Sequence, residues 1–287
     1  MTNTDSVACN TTSPPSGANS FNGSGLHLDD IGFYVINLDR AADRMERFEK
    51  DFASFPIPFI RVSAIEGRNL TYPVDGYDAF MFFLNIGRNA SPGEIGCYLS
   101  HLKVLNLFLE SGKPFGIICE DDAMPAPECY EAVKQAVAHS GTWDLLRLCG
   151  GRVKTSFPYR ELTSAHHLCT SITGMIPATA YMVNRRAAQK LVRKLLPMSD
   201  LYDSALHYGR WGLREATVFP NCMPVGELGK CSKSTIRDEI WRNMKRNLQP
   251  YHFVFWTCRL FKLRVRIVRY SLQFFRVLKR RFGQAKN

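Results

Sequence analysis

Three consecutive acids, Glu120, Asp121 and Asp122, close a short apolar run at residues 115–119. Side chains alternate across an extended backbone, so a continued strand would turn Glu120 and Asp122 to one side. Two carboxylates placed so repel unless a proton or a cation joins them. Oxygen ligands of this kind suit Mg2+ or Mn2+, which keep open positions for diphosphate oxygens. Glu120 and Asp122 are therefore the candidate metal ligands. An isolated acidic triplet reads more simply as a solvated turn or a helix cap, so its surroundings decide. Two further acids, Asp200 and Asp203, follow Pro197 and are spaced as on one helical face. One could complete a metal site or act as a catalytic base while the other caps the helix. Ser100 and His101 form a polar pair amid Leu99, Leu102 and Leu105, either as hydrogen-bonded core or as the lining of a pocket.

These residues need a scaffold, and the chain from residue 31 onward alternates strand and helix signals. Residues 31–38 (IGFYVINL) form a buried strand. Asp39 then caps a helix on which Met45, Phe48 and Phe52 recur at three- and four-residue spacing. Residues 58–65 supply a second strand, and residues 68–89 read as a long loop with one short helix near 80–84, a segment long enough to be functional. The best-marked helix starts at Ser91, with Pro92 at its first position, Glu94 three residues after the cap, and a stop at Gly112. A strand at 115–119, a helix at 127–139, a strand at 143–148, a β-rich region to 183 and a helix at 185–196 capped by Asn184 follow. Such alternation predicts an α/β sandwich with a largely parallel sheet, and ligands in such sheets bind beyond the carboxyl ends of the strands.

The overall charge of +11 is unevenly placed. Residues 230–287 hold 16 Lys plus Arg against two acids, which leaves 21 basic and 24 acidic groups in residues 1–229. The globular part is close to neutral, which argues against a nucleic-acid-binding protein. Nine cysteines lie scattered without any C-x-x-C spacing, so neither a zinc motif nor a disulfide framework is expected, and thiols inside apolar runs favour a reducing compartment. Residues 1–30 are predicted to be a disordered leader without a signal peptide. The expected division is that leader, a catalytic domain at 31–229 and a tail at 230–287.

In order along the chain stand YVINLDRAADR (34–44), SAIEG (63–67), SPGEIGCYLSHLKV (91–104), EDDA (120–123) and TAYMVNRRAAQKLV (179–192). Together, over about residues 31–225, they resemble the family 25 glycosyltransferases, lipooligosaccharide galactosyltransferases and their collagen-modifying relatives. The resemblance implies a GT-A-like fold, a nucleotide-sugar donor such as UDP-galactose, and a metal-binding acidic motif, here E-D-D with Glu120 and Asp122 as its outer pair. It also implies that Asn37, Asp39, Arg40 and Arg44 border the nucleotide, with Asp121 beside them. Glu94, Ser100 and His101 would line the donor or acceptor pocket. The expected reaction is metal-assisted hexose transfer, with inversion, to a lipooligosaccharide or other glycan; Asp200 or Asp203 would take the acceptor proton, and residues 68–89 would form a lid.

A helical reading of the tail aligns Phe253, Trp256, Leu260, Leu263, Ile267, Tyr270, Phe274 and Leu278 in a stripe beside Arg259, Lys262, Arg266 and Arg269. Such a basic amphipathic helix is too charged to span a bilayer, but it suits an anionic membrane surface, where it would hold the enzyme beside a lipid-linked acceptor. It could instead pack on the catalytic domain or self-associate. The expected location is the cytoplasmic face of a membrane. The rival readings are an inactive carbohydrate-binding protein and a nucleic-acid-binding protein.

Overall fold

A computed structural model describes residues 28–150, 155–173, 177–206 and 211–226. The tail at 230–287 lies outside the described residues, as does the leader apart from Leu28–Asp30, a 3-10 turn leading into the first strand.

Eight strands form one sheet: β1 (Ile31–Asn37), β2 (Phe59–Ser63), β3 (Phe115–Glu120), β4 (Leu145–Arg147), β5 (Thr155–Glu161), β6 (His167–Thr173), β7 (Ala180–Asn184) and β8 (Glu215–Phe219). Their spatial order is β2-β1-β3-β7-β4-β8-β6-β5. The expectation of a largely parallel sheet needs correction. The pairs β1–β2, β1–β3 and β4–β8 are parallel, but β7 and β6 run against their neighbours, so the sheet is mixed. Only residues 162–166 join β5 to β6, too few for the crossover that a parallel pair requires.

Helices cover both faces. Helices α1 (Ala42–Asp51) and α4 (Cys129–Ala138) pack on one side with Phe33, Ile117, Trp143 and Met182. On the other side α3 (Pro92–Glu110), α5 (Arg185–Lys194) and the single turn α6 (Tyr202–Ala205) pack with Tyr34, Ile118, Leu145 and Tyr181. The alternation of side chains along each strand divides the apolar core between these two layers.

Helix α3 has the predicted capping box: Ser91 Oγ accepts from Glu94 N at 3.2 Å, and Glu94 Oε2 accepts from Ser91 N at 2.8 Å. Asn184 caps α5 by accepting from Ala187 N at 2.8 Å. Asp39 does not cap α1, whose N-terminal residue Ala41 has no side-chain cap. Arg61 and Ser63 on β2 hold the Asp39 carboxylate instead, each at 2.6 Å. The segment 68–89 contains α2 (Ala79–Ile86), capped by Asp78 and ended by Gly87 in the left-handed region. It is stapled to residues 198–199 by hydrogen bonds from Asp78 N, Met198 N and Asn85 Nδ2. Phe80 and Met81 on α2 remain exposed.

Two glycines explain why the 63–67 turn and the start of α3 belong together. A Cβ on Gly67 would lie 1.7 Å from Pro92 O, and one on Gly96 would lie 2.5 Å from Ile65 O. The two backbones touch, and only glycine allows that approach. Gly96 thereby sets the position of Cys97 and His101, the next residues of the same helix.

Candidate active site

Glu120 ends β3 at the carboxyl edge of the sheet, its N–H donating to Thr179 O at 2.8 Å. The backbone turns at once, for Ala123 N–H donates to Glu120 O at 3.2 Å. The extended geometry expected for the three acids is therefore absent, and each side chain takes its own direction.

Asp121 is buried and fully engaged. The Arg44 guanidinium binds both of its oxygens, and Asn37 Nδ2 donates to Oδ2 at 2.7 Å. Asn37 in turn accepts from Arg61 Nε at 2.9 Å, while Arg40 pairs with Glu66 at 2.6 Å. The residues expected to border a nucleotide thus form a polar lattice that fastens β1, β2 and the end of β3 to one another. Within it the middle acid is neutralised.

The outer acids lack such partners. Among the described residues Asp122 Oδ1 is buried without a hydrogen-bond partner, and Asp122 is pushed up to about 7 by burial and by the charges of Glu120 and Asp121. Glu120 is also raised to about 7, by burial first and then by Asp203 and Asp121. Two neighbouring acids whose charges disfavour one another in a half-dry setting match a site that gains a cation.

Helix α3 supplies the other neighbours of Glu120. His101 Nε2 lies 3.3 Å and Cys97 Sγ 3.7 Å from Glu120 Oε1. His101 Nδ1 is 3.2 Å from the Tyr181 hydroxyl, which is 2.8 Å from the Tyr202 hydroxyl, and the Tyr202 ring stacks on the imidazole at 4.1 Å. Burial and Arg147 lower His101 to about 3 against an opposing pull from Asp203, so the imidazole is neutral at pH 7. A neutral ring has one N–H and one lone pair. With Glu120 ionised, Nε2–H donates to it and Nδ1 accepts from Tyr181.

Two predicted pocket residues serve the scaffold. Both oxygens of Glu94 are bound by Arg88, at 2.6 and 2.7 Å, in addition to the capping contact. Ser100 Oγ donates to Gly96 O at 2.6 Å and accepts from Ile65 N at 2.8 Å. Asp200 and Asp203 do not share a helical face, because α6 begins only at Tyr202. Asp200 accepts from Leu201 N at 2.9 Å in the preceding turn. Asp203 accepts from Ala178 N at 2.7 Å and acts electrostatically on Glu120, His101 and Cys97, so it is the one drawn into the cluster.

Cys97, Tyr181, Tyr202 and Arg147 are members that sequence reasoning missed. The four-residue spacing of Cys97 and His101 was a usable signal. Arg147 was not foreseeable: it is fully buried on β4, its Nε donates to Glu215 at 2.9 Å, and its two terminal nitrogens have no hydrogen-bond partner among the described residues.

Residues 30–205 match the family model described as glycosyltransferase family 25 (LPS biosynthesis protein). Procollagen galactosyltransferase 1 of Danio rerio is 25% identical over 194 residues, 60% of this chain and 31% of that protein. Procollagen galactosyltransferase 1-B of Xenopus laevis is 25% identical over 225 residues, 68% of this chain and 35% of that protein. A Bos taurus protein named probable inactive glycosyltransferase 25 family member 3 is 25% identical over 191 residues, 62% of this chain and 31% of its own length. The chain spans about a third of the length of these curated relatives.

Proposed function

Because the chain belongs to glycosyltransferase family 25, we propose that it transfers a hexose from a nucleotide donor to a glycan, with galactose as the first sugar to test. The observation that carries this reading is the division of labour among the three acids. Arg44 and Asn37 consume Asp121, while Glu120 and Asp122 are left raised where a donor diphosphate would lie. The arrangement suits a GT-A-like nucleotide site.

Glu120 and Asp122 would hold a divalent cation, which supplies positive charge against the diphosphate that leaves. Asp203 would take the proton of the acceptor hydroxyl as its oxygen bonds to the anomeric carbon from the face opposite the breaking bond. The anomeric configuration inverts, and the electron pair of the old bond departs with the diphosphate. His101, fixed by Tyr181 and stacked on Tyr202, holds the Glu120 carboxylate in place. Helix α2 and its flanks, residues 68–89, would cover the donor and exclude water.

The acceptor is proposed to be a lipooligosaccharide or other lipid-linked glycan, approached at the cytoplasmic face of a membrane through the basic stripe of the tail. Among the described residues no helix is long and apolar enough to cross a membrane. Sedimentation with anionic vesicles, compared between the full chain and one ending at residue 229, tests this part.

The test of the main proposal is a panel of nucleotide sugars assayed for release of nucleoside diphosphate, with and without Mn2+. Release from UDP-galactose that requires the metal supports the reading. Binding of sugar or nucleotide without turnover under any metal would favour an inactive carbohydrate-binding protein.

A further inference from the structure

Cys97, His101 and Glu120 form a trio that the proposed hard-cation site does not explain. They come from two elements, α3 and the end of β3, and their ligand atoms all lie within 4.8 Å of one another. The individual separations are informative. At 3.3 Å, His101 Nε2 to Glu120 Oε1 is long for an N–H···O hydrogen bond, and Cys97 Sγ stands 3.7 Å from the same oxygen. Zinc bonds of about 2.0–2.3 Å at tetrahedral angles place N, O and S ligands about 3.3–3.6 Å apart. These two separations lie close to the edges of such a tetrahedron, whose fourth corner would be left for water.

The surroundings agree with that geometry. Cys97 and His101 stand four residues apart on α3, so one helical face presents both. Tyr181, which meets His101 Nδ1 at 3.2 Å, provides the outer hydrogen bond that orients a ligating imidazole, and Tyr202 supports Tyr181 at 2.8 Å. Glu120 is one-third exposed, which leaves a way in from solvent. A sulfur, an imidazole nitrogen and a carboxylate oxygen suit Zn2+ rather than Mg2+ or Mn2+.

We propose that Cys97, His101 and Glu120 bind a thiophilic divalent cation, Zn2+, at a site that shares Glu120 with the hard-cation site. On binding, Cys97 forms a sulfur–metal bond and its thiol proton leaves to solvent, while His101 changes tautomer: Nε2 gives up its proton to become the ligand, and Nδ1 takes one and donates it to the Tyr181 hydroxyl oxygen. Because one carboxylate serves both ions, occupation by Zn2+ displaces the ion used for sugar transfer. That inhibitory consequence rests on the proposed function, whereas the binding itself does not.

The test uses the full chain, titrated with Co2+ as a coloured substitute and with Zn2+ in competition. One equivalent of Co2+ should produce a sulfur-to-metal charge-transfer absorption that Zn2+ abolishes. C97S should remove that absorption, H101Q should weaken binding by at least about 100-fold, and Y181F, which loses the hydroxyl contacts to His101 and Tyr202 but no ligand, by about 10-fold. D122N should leave it intact, so a failure of the transfer reading does not touch this result. As a measurement on the unaltered protein, Zn2+ should slow alkylation of Cys97 by iodoacetamide, read by peptide mass. An absorption that persists in C97S, no absorption in the parent chain, or alkylation indifferent to Zn2+ would overturn the proposal.

Discussion

Asn37, the last residue of β1, donates to Asp121, the first residue beyond β3, at 2.7 Å. Arg44 of α1 completes the clamp, so the middle acid of the triplet ties together segments that are about 80 residues apart in sequence. A structural duty for Asp121 follows from this contact, and the chemistry proposed above then falls to its two neighbours.

Replacement of Asp121 therefore affects stability first. D121A removes the charged acceptor of the half-exposed Arg44 and one of two acceptors of the buried Asn37 amide, which keeps Ala41 O at 3.0 Å, a loss of about 2–3 kcal/mol for hydrogen bonds to a charged group. Urea unfolding should show the lower midpoint. A midpoint equal to the parent's would mean that the clamp carries no stability.

The outer acids should behave in the opposite way. Asp122 Oδ1 is buried and unpartnered, and Glu120 is raised to about 7, so E120Q and D122N relieve repulsion in the metal-free chain. Each variant should unfold at or above the parent's urea midpoint. Each should also lose on the order of 10²-fold or more in turnover, as should the parent after treatment with a chelator, with recovery on added Mn2+ or Mg2+. Full turnover in both variants would remove Glu120 and Asp122 from the metal role.

The contact between the 63–67 turn and α3 gives a third expectation. In G96A the new methyl group meets Ile65 O at 2.5 Å, a backbone atom that cannot rotate away. Overpacking of this kind costs about 1–3 kcal/mol, and the shift of α3 would also displace Cys97 and His101. Thermal unfolding should show the loss, whereas G141A, where a Cβ meets nothing within 4 Å, should be close to neutral.

Asp144 predicts a pH dependence. Burial opposes its ionisation, but hydrogen bonds from Arg214 and Asn184 outweigh burial and hold it at about 2, against an ordinary value of 3.8. A carboxylate whose value is depressed on folding adds stability above its unfolded value and loses it as pH falls through its folded value. The window here is about pH 4 down to about pH 2, and the contribution is about 2–3 kcal/mol. The difference in stability between the parent and D144N, from urea titrations across that range, should be full at pH 5 and shrink steadily toward pH 2.

Local signals in the sequence were read more reliably than distant ones. The Ser91–Glu94 capping box and the Asn184 cap involve partners three residues apart, so the chain itself displays them. Asp39 looked like a cap by the same logic, but Arg61 and Ser63 on the neighbouring strand captured its carboxylate. The run at 180–183 is apolar throughout, and such a pattern has no direction, so nothing announced that β7 enters reversed. Likewise the acidic triplet stands out in the sequence, while the pairing of Asp121 with Arg44 depends on a contact made only by the fold.

The proposed reaction takes Asp203 rather than Asp200 as the proton acceptor, and substitution tests that choice. Asp203 acts on Glu120 and His101 electrostatically, and its Oδ1 is fixed by Ala178 N at 2.7 Å, which leaves Oδ2 for other contacts. Asn at this position retains the Ala178 contact through its own Oδ1 but cannot accept a proton. D203N should therefore fold with the parent's stability and lose about 10²- to 10⁴-fold in kcat, the range typical of a general base, with KM for the donor little changed. D200N should keep most of its kcat, because Asp200 is engaged by Leu201 N in the turn before α6. The reverse ranking in single-turnover assays would move the base to Asp200.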